Sequence, residues 1–140
     1  MTPMQIQLVR ASFQLVEPIA DKAAALFYTK LFTAQPQLRA MFRGDMHAQG
    51  AALMRMIAAA VRQLDRPDVL LPVLRSLGVR HAGYGVHAAH YDMVGEALVA
   101  TLREGLGAAF TPDVEDAWAA MYALASATMQ EEAAALRAAA

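Results

Sequence analysis

The chain of 140 residues has no cysteine, only 8 glycines and 6 prolines, and few charges, at 18% of its residues. The missing cysteines exclude a disulfide framework, a cysteine nucleophile and zinc sites built on thiolates. So little glycine and proline argues against disorder and against a β-sandwich with its many turns. Neither sign of charge dominates: the net charge is −1 and the isoelectric point is near 6.4. No polyanion such as a nucleic acid is implied as a partner. Long apolar runs are missing too. The longest stretch without a charge, residues 117–130, contains Ser126 and Thr128, whereas a membrane-spanning helix needs about 20 apolar residues. The opening MTPMQIQLVR lacks the basic start and apolar core of a signal peptide. A soluble, cytoplasmic protein is expected.

What the chain does have is alanine. There are 32 of them, within a hydrophobic fraction of 57% and a mean hydropathy of +0.29. Alanine is the best helix former and a poor strand former. Helix signals recur along the whole length. Thr2-Pro3 followed by Gln5 reads as an N-cap, a first-turn proline and a capping-box partner. Ile6, Val9, Phe13 and Val16 then keep helical spacing. Further helices are expected at about residues 19–34, 46–64, 67–81, 88–106 and 112–137, with a turn near 37–42. No segment alternates with period two. The expectation is an all-α fold of six or seven helices forming a single domain over residues 1–140.

Charge is divided unevenly. Residues 1–80 carry 10 Lys/Arg and 5 Asp/Glu, while residues 81–140 carry 2 and 8. The simplest account is solvated helix faces that offset one another in the fold.

Few motifs carry chemistry. Gly83-Tyr84-Gly85-Val86-His87-Ala88 fits G-x-G-x-x-A, and Glu104 follows at a suitable distance, but a helical pattern precedes it instead of the strand that a dinucleotide fold needs. His87 and His90 are three apart at a helix start and read as surface or capping residues. His47 lies in a polar stretch. His81 differs, because Leu74 and Leu77 precede it on the same helix face. A lone histidine there is either a hydrogen-bonded core residue or a ligand. Tyr28, beside Phe27, is ambiguous in the same way, and Phe42 and the 9 methionines are most simply core. Gln49 shares the inward face of Leu53 and needs a partner or a ligand there.

Taken in order, these residues form a recognisable series. It runs Phe27-Tyr28, Pro36 to Phe42, Gln49 and Leu53, LRSLGVRHAGYGV around His81, His90-Tyr91 with Val94-Gly95, then Trp118 and Tyr122. The series resembles the globins, in particular the bacterial single-domain haemoglobins related to the haem domain of flavohaemoglobins. The stretch around His81 is also similar to neuroglobin. The resemblance covers about residues 4–132.

It implies a globin fold around a non-covalent haem b, with His81 as the proximal iron ligand. Covalent attachment through C-x-x-C-H is excluded because there is no cysteine. Phe42 matches the phenylalanine that stacks on the porphyrin. Tyr28 and Gln49 match the distal donors, and Leu53 the apolar residue over the iron. Met41, Met56, Val86, Tyr91, Val94 and Tyr122 are assigned to the pocket wall, and Arg80 is a candidate for the propionates. The proximal glutamate of flavohaemoglobins falls eleven residues beyond Tyr122, at Ala133, beside Glu131 and Glu132. The function implied is reversible O2 binding for storage or transport, with NO and CO as further ligands. The alternative is NO dioxygenation driven by an external reductase, since 140 residues leave no room for flavin and nicotinamide domains.

Overall fold

The computed structural model describes residues 1–139, and all regular elements among them are helical. Six α-helices follow in order: α1 Pro3–Val16, α2 Ala20–Ala34, α3 Met46–Arg62, α4 Pro67–Gly83, α5 Ala88–Leu106 and α6 Pro112–Ala139. Short 3-10 turns at Glu17–Ile19, Pro36–Met41 and Gly107–Ala109 connect them. Starts and stops follow the local chemistry. The Thr2 side chain accepts from the Gln5 backbone N–H at 3.1 Å, and Gln5 Oε1 accepts from the Thr2 N–H at 3.0 Å. The Asp45 carboxylate accepts from the N–H groups of His47 and Ala48 and caps α3. Gly107, with φ +56°, ends α5 in a conformation that costs glycine little.

Helix α6 packs across α4 and α1, while α2 packs on α5 and α3. The larger apolar cluster joins α1, α3, α4 and α6 around Trp118, which is 2% exposed. Its buried indole donates to Ser12 Oγ at 2.8 Å, and Ser12 in turn donates to the Leu8 carbonyl at 2.7 Å. Both polar groups are therefore satisfied, and their burial carries no uncompensated penalty. Helix α4 approaches α6 at Gly78, where a Cβ would run into the Met129 backbone. Close contact at that point fixes α4, and with it His81, against the longest helix.

The two charge-unequal halves do not neutralise each other through ion pairs. Among the described residues only Lys30–Glu104 joins them; Arg10–Asp65, Arg66–Asp68 and Arg103–Glu115 each lie within one half. Pairs this exposed contribute little to stability. The expected helix ends differ from the observed ones by a residue or two, chiefly where α4 runs on to Gly83 past His81.

Candidate functional site

His81 is half-buried near the end of α4, with its Nδ1 2.7 Å from the Leu77 carbonyl four residues earlier. A carbonyl can only accept, so Nδ1 carries a proton, and in the neutral ring the lone pair is on Nε2. That is the tautomer and orientation of a metal-ligating imidazole. The backbone is held as firmly as the ring. The His81 carbonyl accepts from the N–H groups of Tyr84 and Val86, each at 3.1 Å. Gly85, at φ +82°, makes the reversal between them possible.

Tyr91 is buried, with its ring centre 6.5 Å from that of His81. Its carbonyl accepts from the Tyr122 hydroxyl. Burial, with Tyr91 and Asp92 nearby, pushes the Tyr122 phenol far above its usual range, so it remains a donor. The Tyr122 ring lies directly over Gly95, where a Cβ would stand 2.7 Å from Cε2. Val86 and Leu77 pack against the same cluster as Tyr91. This side of the site is a hydrogen-bonded frame around one imidazole.

A second group gathers against the other wall of α5. Phe27, Tyr28 and Leu31 are buried there, with Met41, Phe42, Leu53 and Val94 packed on them half-buried. The Tyr28 ring meets Phe27 edge-on at 5.1 Å and Phe42 edge-on at 5.3 Å. Burial raises the Tyr28 phenol above its ordinary value, which keeps the hydroxyl protonated and able to donate. Leu53 also borders a cavity of about 20 Å³ shared with Phe13, Val16, Phe27, Leu98 and Trp118. The one hydroxyl in its lining, on Thr101, is committed to the Ala97 carbonyl at 2.7 Å. The cavity is therefore apolar.

The residues singled out from sequence separate into these two groups, with exceptions. Tyr28, Met41, Phe42, Leu53 and Val94 form one cluster, and His81, Val86, Tyr91 and Tyr122 the other. Gln49 and Met56 are half-buried on α3, one turn before Leu53 and three residues after it, and belong to neither apolar cluster. Arg80 is exposed, with no ion pair among the described residues. A proximal glutamate is expected near position 133. Ala133 is buried at 6% exposure, Glu131 is exposed and Glu132 half-buried. No carboxylate bonds to His81 or Tyr91 among the described residues; the ring partner of His81 is a neutral carbonyl. Two glycines were not legible as site residues: Gly78, which sets α4 against α6, and Gly95, which seats Tyr122.

This donor set fits an iron porphyrin. The chain offers an imidazole whose Nδ1 is engaged by a carbonyl and an apolar cluster that carries a neutral phenol, and one imidazole with apolar contact is the combination that would hold a haem. His47 is exposed, and no group of three or more metal-capable side chains is formed among the described residues.

Known proteins place the chain consistently. It is 36% identical over 125 residues to the flavohemoprotein of Bordetella parapertussis, an alignment covering 87% of this chain and 31% of that protein. The flavohemoprotein of Vibrio cholerae is 30% identical over the same length. The chain thus spans about a third of the length of these curated relatives. Among solved structures, an engineered carbene transferase from Rhodothermus marinus, described as a candidate nitric oxide dioxygenase, superposes with a TM-score of 0.83. It shares 29% identity, and the match covers 99% of this chain and 97% of that one. A hexacoordinated heme protein from a tardigrade shares the fold at TM-score 0.85 and 18% identity, over 94% of each chain. The globin family model matches residues 25–129. With an all-helical fold, an imidazole oriented by a backbone carbonyl and these matches, the chain belongs to the globin family.

Proposed function

We propose that the chain is one globin domain over residues 1–140 that holds a non-covalent haem b on His81 and binds O2 reversibly. The observation that carries the proposal is the His81 Nδ1–H donated to the Leu77 carbonyl, which leaves Nε2 uncommitted, in a chain that also gathers Phe42, Leu53 and Val94 around Tyr28. When bound, haem b supplies a ferrous iron that takes diatomic gases. This chain's residues do the rest. Phe42, Leu53, Met41, Met56, Val86 and Val94 supply apolar contact and exclude water. Tyr28, held protonated by burial, would donate to a partly negative gas ligand, and half-buried Gln49 on α3 would supply a second donor. A donor to a charged acceptor contributes about 1.5–3 kcal/mol, or roughly 10- to 150-fold in affinity. The apolar cavity behind Leu53 has room for about one small molecule, and its lining favours an apolar gas over water. Arg80, exposed beside His81, is the cation available to the propionates.

A second reading, NO dioxygenation, is favoured by the flavohemoprotein relatives and by the Rhodothermus neighbour. The conversion of NO, O2 and one electron to nitrate needs a reductase to supply that electron. CO would bind at the same place.

The test uses purified protein reconstituted with haem. An intense Soret band is expected, and His81→Ala should lose it; a wild-type protein that takes up no haem overturns the reading. Steady-state NO consumption with a supplied reductase then separates the two functions, since a carrier consumes NO only once per bound O2.

A further inference from the structure

We propose that His90 is an acid-operated latch: unprotonated, it caps α5 and secures the loop after His81, and protonated, it lets both loosen. His87 is the N-cap of α5, and its backbone N–H donates to His90 Nδ1 at 3.0 Å. An imidazole nitrogen accepts only when it carries no proton, so protonating Nδ1 removes this bond. The His87 ring stacks on His90 with centres 4.6 Å apart and planes 24° apart. A charge on either ring therefore meets the other at the positive end of a helix whose first turn contains no acid.

The bond is continuous with the loop that holds His81. Val86, immediately before His87, donates its N–H to the His81 carbonyl. Releasing His87 frees the next link in that chain. Helix α1 uses the same position without titrating: Gln5 Oε1 accepts from the Thr2 N–H, also at 3.0 Å. The other groups near this end of α5 do not compensate. They are Asp92 on α5 itself, Tyr122 from α6, and His81 and Tyr84 from the end of α4. None forms an ion pair with His87 or His90 among the described residues.

Burial, and then His87 beside it, moves the His90 pKa below its ordinary value of about 6.5. Folding thus favours the neutral ring. The stability it contributes is complete above about pH 6.5 and is lost as pH falls through the lower, folded value.

Three proteins decide the matter: wild type, His90→Gln, which imitates the α1 cap, and His90→Ala. The readout is hydrogen exchange at the amides of residues 91–94, which bond back to the first turn, corrected for intrinsic rates at pH 8 and pH 5. Wild type should match His90→Gln at pH 8 and move toward His90→Ala as the pH falls through its depressed pKa, opening up to about fivefold more readily than His90→Gln at the acid end. The rate of haem transfer to an excess acceptor globin should show the same fivefold divergence. That arm rests on the proposed haem binding and the exchange arm does not, so absence of haem would remove the functional reading while exchange still decides the latch. A wild-type pH response matching His90→Gln in either measurement overturns it, as does His90→Ala matching His90→Gln at pH 8.

Discussion

The two walls of the site are built on opposite plans. On the His81 side several polar groups are committed within the protein: the imidazole Nδ1 to Leu77, the His81 carbonyl to Tyr84 and Val86, the Tyr122 hydroxyl to the Tyr91 carbonyl. On the Tyr28 side the contacts are aromatic and aliphatic, and the proposed function gives Tyr28 and Gln49 the role of donors to a bound gas. In the proposed reading, one wall holds the haem still and the other meets a ligand that comes and goes. Changes in the first should therefore appear as altered haem retention and stability, and changes in the second as altered gas release.

The sharpest test of that division is Tyr28→Phe. It should speed O2 dissociation roughly 10- to 150-fold while leaving haem retention nearly unchanged; stopped-flow release of O2 checks the first and haem transfer the second. If release is unaltered, Tyr28 is a packing residue only. Next in size is Gly78→Ala, which drives a methyl into the Met129 backbone, where nothing flexible can yield. About 1–3 kcal/mol of stability should be lost in denaturant unfolding, with faster haem loss and little change in gas release. The smallest effect is expected from Tyr122→Phe, which removes one hydrogen bond to the Tyr91 carbonyl and should cost about 1 kcal/mol. A large effect on O2 release from that variant would erase the contrast between the walls.

Much of this could be read along the chain. Thr2-Pro3, Asp45 and Pro67 mark helix starts by local chemistry alone, and the apolar spacing before His81 put it on an inward face. The series from Tyr28 to Tyr122 pointed to the globin fold. Other features were out of reach because their causes are contacts between distant segments. Gly78 and Gly95 look like weak points in helices until Met129 and Tyr122 arrive from α6. Ser12 is a polar residue in an apolar face until Trp118, 106 residues later, donates to it. The fate of the proximal glutamate needed the burial of Ala133 and the outward turn of Glu131, which counting along a helix left open by one residue.

The sequence by itself determined the helices, the lack of any covalent haem link and the imidazole at position 81. Propensity, caps, periodicity and the absence of cysteine act over a few residues and need no partner. Only the tertiary structure decided which nitrogen of His81 meets the Leu77 carbonyl, which phenols burial keeps protonated, and that no carboxylate bonds to the imidazole among the described residues. Those properties depend on the distance and burial of groups brought together by packing, and α5 meets α4 and α6 only after the chain has closed on its core.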